Sequence, residues 1–280
     1  MHNRHRFLLA GVMGWPIAHS RSPKIHNHWL AQNGIEGAYV PLAVEPGKLE
    51  AALRALAPLG FSGCNLTIPH KEAALPFMDR VDPMAARIGA INCVVVEADG
   101  ALAGKNYDGF GFIASLRAGA PQWRAEAAPA VVIGAGGGAR AVVAGLLDAG
   151  APEILVFNRT TERAQALAGD FGARVSAHPW AQRSAGLGGA GLLVNTTSLG
   201  MIGQPPLDIS LNDLPSSAIV TDIVYAPLET ELLVSAKRQG LTAVAGLGML
   251  LHQARPAFRD WFGVMPEVTP ALHALIAATL

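Results

Sequence analysis

Three short segments carry the residue types that could do chemistry with a phosphorylated nucleotide. Ala130-Val131-Val132-Ile133 runs into Gly134-Ala135-Gly136-Gly137-Gly138-Ala139, and this into the apolar stretch Ala141-Val142-Val143-Ala144-Gly145-Leu146-Leu147. The loop has the spacing G-x-G-x-x-[G/A], with Ala139 in the last place. In a strand–loop–helix unit, Gly134 permits the tight turn and Gly136 lets the backbone approach a pyrophosphate. Ala139 lets the helix close on the strand. The N–H groups opening the helix then face the phosphates with the positive end of its dipole. Gly134, Ala135, Gly136, Gly137 and Gly138 are therefore the candidate cradle of a dinucleotide. The next strand end selects which one. An NAD site places a carboxylate there for the ribose 2′-hydroxyl. This chain reads Val156-Phe157-Asn158-Arg159-Thr160, with Arg163 four residues beyond Arg159. Two arginines suit a 2′-phosphate, because the guanidinium fork is bidentate. As bare surface cations they would stand at the wrong end of a helix dipole. Asn158, Arg159, Thr160 and Arg163 predict NADP.

A second set of polar residues lies in the first half. The clusters are Gly14 to Pro23 (with Ser20 and Ser22), Asn65 to Lys71 (with Thr67), Gly89 to Asn92, and Gly104 to Gly109 (with Asp108). Taken singly, Ser22-Pro23 reads as a helix start, Asn-x-Thr as a turn and Asp108 as a helix cap. Together they supply hydroxyls, amides, one ammonium and one carboxylate, an inventory that suits a small polyol acid.

These residues need sheet edges to hold them, and the apolar patterning supplies two series. In the first half, Phe7–Met13, Ala38–Val44 and Gly63–Ile68 read as strands, with Pro41 marking the second as an edge. Helices are expected from about Pro23 and over Gly47–Ala57. Ile91–Val96 and Ala101–Gly104 read as a hairpin around Asp99-Gly100, so this sheet is expected to be mixed. Residues 118–129 interrupt the pattern and read as a connection between domains. Beyond them, strands near Ala130–Ile133, Ile154–Phe157, Leu192–Asn195, Ile219–Ile223 and Thr242–Val244 alternate with helices at Ala139–Ala149 and Glu162–Phe171. That alternation predicts a parallel α/β sheet. Met249–Trp261 and Pro270–Leu280 read as helices.

Composition bounds the rest. At 280 residues, two domains are expected. The 21 basic and 21 acidic residues balance to zero formal charge, which argues against electrostatic nucleic-acid binding. Hydrophobic residues at 51% exclude intrinsic disorder. The longest uncharged stretch, Ser184 to Leu207, is broken by Gly, Asn, Thr and Pro, so no membrane span is predicted. The N-terminal run MHNRHRFLLAGVMGWP has Trp15-Pro16 where a secretory leader has a small-residue cleavage site, and reads instead as a first strand. Cys64 and Cys93 lack metal-ligand spacing and fit two buried thiols in a reducing cytoplasm. Nine histidines, including His26, His28 and His252, form no HExxH-type cluster, so no metal is expected.

Over nearly its whole length the chain resembles the shikimate dehydrogenase family. The resemblance rests on Ser20-x-Ser22-Pro23, Asn65-x-Thr67-x-Pro69-x-Lys71, Asn106-x-Asp108, the loop Gly134–Gly138 and Asn158-Arg159-Thr160. It continues in Asn195 to Met201, Asp222-Ile223-Val224-Tyr225 and Gly246 to Ala254. It implies reduction of 3-dehydroshikimate to shikimate with NADPH, on the route to chorismate and the aromatic amino acids. It implies that Ser20, Ser22, Asn65, Thr67, Asn92 and Gln253 hold the substrate, that Tyr225 approaches it, and that Lys71 is the acid/base with Asp108 as partner. Ile223 and Gly246 would border the nicotinamide. Tyr107 stands where the family more often has Thr, placing a larger ring at one wall of the pocket. With Gln253 given to the substrate, the C-terminal helices must return to the first domain. The expected fold is then two α/β domains: a mixed-sheet substrate domain, 1–110 with 247–280, and a Rossmann-type NADP domain, 111–246. A cytoplasmic monomer or homodimer is expected. The competing readings are an NAD-linked quinate/shikimate dehydrogenase and a non-catalytic ligand sensor of the same fold.

Overall fold

The computed structural model describes residues 7–280, so the basic residues of the N-terminal run, before Phe7, lie outside the described part. The chain divides into two units, Met1–Tyr107 with Gln253–Ile276, and Asp108–His252 with Ala277–Leu280.

The first unit is built on a six-stranded mixed sheet. Its strands are β1 (Leu8–Gly14), β2 (Gly37–Ala43), β3 (Phe61–Leu66), β4 (Arg80–Val81), β5 (Cys93–Val96) and β6 (Leu102–Lys105), in the order β2-β1-β3-β5-β6-β4. Pro41 lies on β2, at the sheet edge, where its missing N–H costs no ladder bond. β5 and β6 form the antiparallel hairpin expected around Asp99-Gly100, with Gly100 at φ +84°. The helices are α1 (Ser22–Gln32), α2 (Leu49–Ala55), α3 (His70–Ala73) and α4 (Pro83–Ile88). Strand residues alternate between two faces. Met13, Cys64, Leu66, Val94 and Leu102 join Leu49 and Leu53 of α2 and Ala85 of α4 in one core. Over the other face lies an aromatic group, His26 and Trp29 of α1, Tyr39 of β2, and Phe258, Trp261 and Phe262 of the C-terminal helix. The His26 ring stacks on Tyr39 with 4.1 Å between centroids. Trp261 Nε1 donates to the Val94 carbonyl at 3.0 Å, and a Cβ on Gly63 would lie 2.3 Å from that nitrogen. A bare backbone at Gly63 is what lets the indole reach the sheet.

The second unit holds β7 (Ala130–Ile133), β8 (Ile154–Asn158), β9 (Val175–Pro179), β10 (Leu192–Asn195), β11 (Ile219–Asp222) and β12 (Thr242–Val244). All pairings are parallel, in the order β12-β11-β10-β7-β8-β9. This is the doubly wound order with its switch point between β7 and β10. Its helices are α5 (Asp108–Gly119), α6 (Gly137–Asp148), α7 (Thr161–Phe171) and α8 (Glu231–Arg238). Burial on both faces explains the unbroken apolar runs of β7, β8 and β10. One face packs Val131, Ile133, Leu193 and Val220 against Leu232, Leu233 and Ala236 of α8. Glycines bring α5 and α6 together: a Cβ on Gly145 would sit 3.0 Å from the Gly109 carbonyl oxygen. α9 (Leu247–Phe262) has Leu247–His252 in the second unit and the remainder in the first, and α10 (Pro270–Ala277) ends the fold.

Several elements differ from the sequence expectation. The connection expected at 118–129 falls inside the second unit, because α5 already belongs to it. Ile91 and Asn92 precede β5 rather than joining it. β4, β9, α3, α4 and α8 carry no apolar pattern long enough to announce them; β4 and β9 are edge strands with little to bury. Among the described residues no helix is long and apolar enough to cross a membrane.

Candidate active site

The polar clusters of the first unit gather at one edge of its sheet. β1 runs parallel to β3, with Met13 opposite Leu66, while β5 opposes both β3 and β6, with Cys93 opposite Asn65 and Lys105. The ends of β1, β3 and β6 and the start of β5 therefore meet. Gly14 closes this edge: a Cβ there would lie 2.5 Å from Thr67 Cγ2.

A chain of amides runs along it. Asn65, on the aromatic face of β3, accepts from the Tyr39 hydroxyl at 2.6 Å and donates through Nδ2 to the Asn92 carbonyl at 2.8 Å. Asn92 Oδ1 accepts from the Tyr107 N–H at 2.9 Å, and its Nδ2 donates to Gln253 Oε1 at 3.2 Å. The last bond spans 161 residues of sequence. Ser20 and Ser22 follow β1, and the Ser20 Oγ accepts from the Ser22 N–H at 3.3 Å as α1 begins. Thr67 and Lys71 follow β3, where the Thr67 carbonyl accepts from the His70 N–H at 2.8 Å to start α3, and the Lys71 carbonyl accepts from the Ile91 N–H at 2.7 Å. Asn106 Nδ2 fixes the opposite loop on the Ala90 carbonyl at 2.9 Å. Asp108, in the second unit, stands in the first turn of α5, a favourable end of the dipole for a carboxylate.

Tyr107 does not leave its hydroxyl loose. It donates to Asp260 Oδ2 on α9, which also receives Lys105 Nζ at 2.7 Å. Burial raises the tyrosine pKa, and the bond to Asp260 raises it further. Burial pushes the Asp260 carboxyl up, but donors from Lys105, Tyr107 and Arg259 outweigh it and hold it below the usual carboxylate range.

In the second unit the glycine loop joins β7 to α6. Gly134 takes φ +111°, and a Cβ on it would meet Thr196 Oγ1 at 2.6 Å. Gly138 faces Ile223, whose Cδ1 would lie 2.8 Å from an added Cβ. Gly136 and Gly137 differ from both: a Cβ on either would meet nothing within 4 Å. Protein contacts thus account for Gly134 and Gly138, while Gly136 and Gly137, after the partly buried Ala135, face open space at the opening turn of a twelve-residue helix. Asn158 ends β8 and donates to the Thr160 carbonyl at 2.8 Å. Thr160 is the N-cap of α7 and makes no side-chain cap. Arg159 and Arg163 are both exposed there and have no ion-pair partner among the described residues. These groups fit a dinucleotide with an additional phosphate on its adenosine.

The strands across the switch point end in a buried network to which the sequence reading attached no role. Asp222, at the end of β11, accepts from Asn195 Nδ2 at 3.0 and 3.1 Å, from the Val224 N–H at 2.9 Å and from the Thr230 hydroxyl at 2.8 Å. Burial raises its pKa, partly offset by these donors. Tyr39, Asn106 and Thr230 were likewise without an assigned role: a lone buried polar residue has no periodicity to betray its partner. His26, fully buried, finds no hydrogen-bond partner at either ring nitrogen, and His70 Nε2 lies 2.8 Å from the Val44 carbonyl oxygen.

Three family descriptions match segments of the chain. The description "Shikimate dehydrogenase substrate binding domain" matches residues 12–94, "Shikimate / quinate 5-dehydrogenase" residues 119–200 and "Shikimate 5'-dehydrogenase C-terminal domain" residues 246–276. A relative from Rhodospirillum rubrum named shikimate dehydrogenase (NADP(+)) is 58% identical over 272 residues, 96% of each chain. One of the same name from Paramagnetospirillum magneticum is 55% identical over 268 residues, covering 96% of this chain and 97% of its own. Among solved structures, shikimate 5-dehydrogenase of Thermus thermophilus with NADP(H) and shikimate superposes with a TM-score of 0.86 at 39% identity, covering 98% of this chain and 100% of that one. The quinate dehydrogenase of Corynebacterium glutamicum with NAD gives 0.88 at 31% identity, covering 98% of both.

Proposed function

The chain belongs to the shikimate dehydrogenase family, and on that premise we propose that it catalyses the reversible NADP-linked reduction of 3-dehydroshikimate to shikimate, in the cytoplasm, on the route to chorismate and the aromatic amino acids. The observation that carries the substrate side is the hydrogen bond from Asn92 to Gln253, which joins two distant polar residues at the edge bearing Ser20, Ser22, Asn65, Thr67 and Lys71. Such a set of hydroxyls and amides matches a ring bearing hydroxyls and a carboxylate. The cofactor is NADP: Gly136 and Gly137, with Ala135 beside them, leave room for the pyrophosphate, and Asn158, Arg159, Thr160 and Arg163 receive the 2′-phosphate. When bound, the reduced nicotinamide supplies the hydride. Lys71 holds an ammonium at the ketone oxygen, stabilises the charge developing there and delivers the proton. By the family resemblance Asp108 is the second member of the catalytic pair. Ser20, Ser22, Thr67 and Gln253 fix the ring so that one carbonyl faces Lys71.

The alternative, an NAD-linked quinate dehydrogenase, is disfavoured by Arg159 and by the missing carboxylate at the end of β8. A sensor of the same fold would have no use for a proton donor. Steady-state rates with shikimate and quinate, each crossed with NADP and NAD, test the reading. The expected outcome is turnover of shikimate with NADP at the highest kcat/KM of the four. Preference for quinate with NAD, or binding without turnover, overturns it.

A further inference from the structure

Asp222 has a role that the reaction chemistry does not use. Its carboxylate is buried at the end of β11 and receives donors from three separate segments. Asn195 Nδ2 reaches it from β10, the Val224 N–H from the segment just beyond the strand, and the Thr230 hydroxyl from the start of α8. Thr230 is informative here. It occupies the N-cap of α8, where a threonine hydroxyl ordinarily accepts from the first free N–H groups of the helix. It makes no such cap and donates to Asp222 instead.

The segment so enclosed is Ile223 to Glu229. Its first peptide units are also held from behind, because a Cβ on Gly246 would lie 2.4 Å from the Val224 oxygen and 2.6 Å from the Ile223 oxygen. On the other side Ile223 Cδ1 reaches the position that a Gly138 side chain would fill, so this backbone adjoins the glycine loop. Asn195 extends the network to the following turn, donating to the Leu199 carbonyl at 3.0 Å and accepting from the Thr197 N–H at 3.0 Å.

We propose that Asp222 is a positioning residue: through Val224, Thr230 and Asn195 it fixes the segment Ile223–Tyr225 at the place where the nicotinamide end of the cofactor binds. The inference rests on the proposed function and on the family resemblance, which implies that Ile223 and Gly246 border the nicotinamide. The Val224 N–H and one Asn195 contact use Oδ1, while the Thr230 hydroxyl and a second Asn195 contact use Oδ2. An amide has only one oxygen, so in Asp222→Asn the Thr230 hydroxyl loses its acceptor and must reverse its bond, and the contact from Asn195 at that position becomes donor against donor.

The test separates the two ends of the cofactor by direct titration. NADPH engages the whole site, whereas adenosine 2′,5′-bisphosphate engages only the end near Arg159. Asp222→Asn should weaken NADPH about tenfold and leave the bisphosphate within about twofold of wild type. Thr230→Val should weaken NADPH by a smaller factor in the same selective way, and Thr230→Ser, which keeps the hydroxyl, should restore it. The threonine pair carries the test even where Asp222→Asn does not fold. Unchanged NADPH binding in Asp222→Asn, parallel loss of both ligands, or a serine variant no better than valine overturns the proposal. A wild-type protein that binds neither ligand overturns the cofactor reading itself, and this inference with it.

Discussion

A proton donor at a ketone acts on charge that exists only as the transition state forms, so its loss should fall on turnover rather than on binding. Lys71→Ala is expected to lower kcat by roughly 10²–10⁴, with NADPH affinity unchanged by titration, because the glycine loop and the arginines lie in the other unit. Asp108→Asn keeps the shape of its side chain and should also depress kcat. The double variant should lose little more than the worse single one, as residues acting as a unit are non-additive. Near wild-type turnover in Lys71→Ala would transfer the role to another group, with Tyr225 the next candidate. Tyr107, the departure from the family pattern, has its hydroxyl committed to Asp260, a partner 153 residues away that no local pattern announces.

The start of α7 is an element whose composition contradicts its own electrostatics. Two exposed arginines stand at the positive end of a helix with no carboxylate partner among the described residues, an arrangement that an anion between them relieves. Arg159→Ala should therefore weaken NADP by about one to two decades, the loss of a charged hydrogen bond of roughly 1.5–3 kcal/mol. NAD, which lacks the 2′-phosphate, should bind as before. Isothermal titration of both cofactors decides it; equal losses would assign Arg159 to packing rather than recognition. The glycine loop shows the same division. Gly134 is demanded by a positive φ and by Thr196, while Gly136 and Gly137 are left open for a ligand.

At the scale of the whole molecule, the buried aromatic group sets a dependence on acid. Burial pushes the His26 pKa down from 6.5 to about 3. The unfolded chain takes up a proton near pH 6.5 that the folded chain refuses until about pH 3, so the stabilisation present above 6.5 is lost as pH falls through that window. The slope from this one group is up to about 1.4 kcal/mol per pH unit. His26→Phe keeps a ring against Tyr39 and removes two unpartnered nitrogens. Its Tm should fall less steeply than that of wild type between about pH 7 and pH 5, because the titrating group is gone. Parallel curves would show that other groups limit stability in acid.

The sequence alone determined what local rules control. Apolar runs alternating with helical patterns placed β7, β8, β10 and β11 within a residue or so, because a strand buried on both faces is largely apolar. Pro41 placed β2 at an edge, and Asp99-Gly100 placed the hairpin. The dinucleotide loop and the arginine pair were legible because their chemistry depends on spacing within one strand–loop–helix unit. What depends on distant partners was decided only by tertiary structure. The Asn65–Asn92–Gln253 chain, the Tyr107–Asp260 bond and the Asn195–Asp222 bond each join residues 26 or more apart in the chain. So was the place of α5, which belongs to the second unit and packs its glycine face on α6, so that the stretch 118–129 lies inside that unit. A hydrogen bond between distant residues leaves no periodic trace, because its energy depends on where the fold brings two side chains and not on their spacing in sequence.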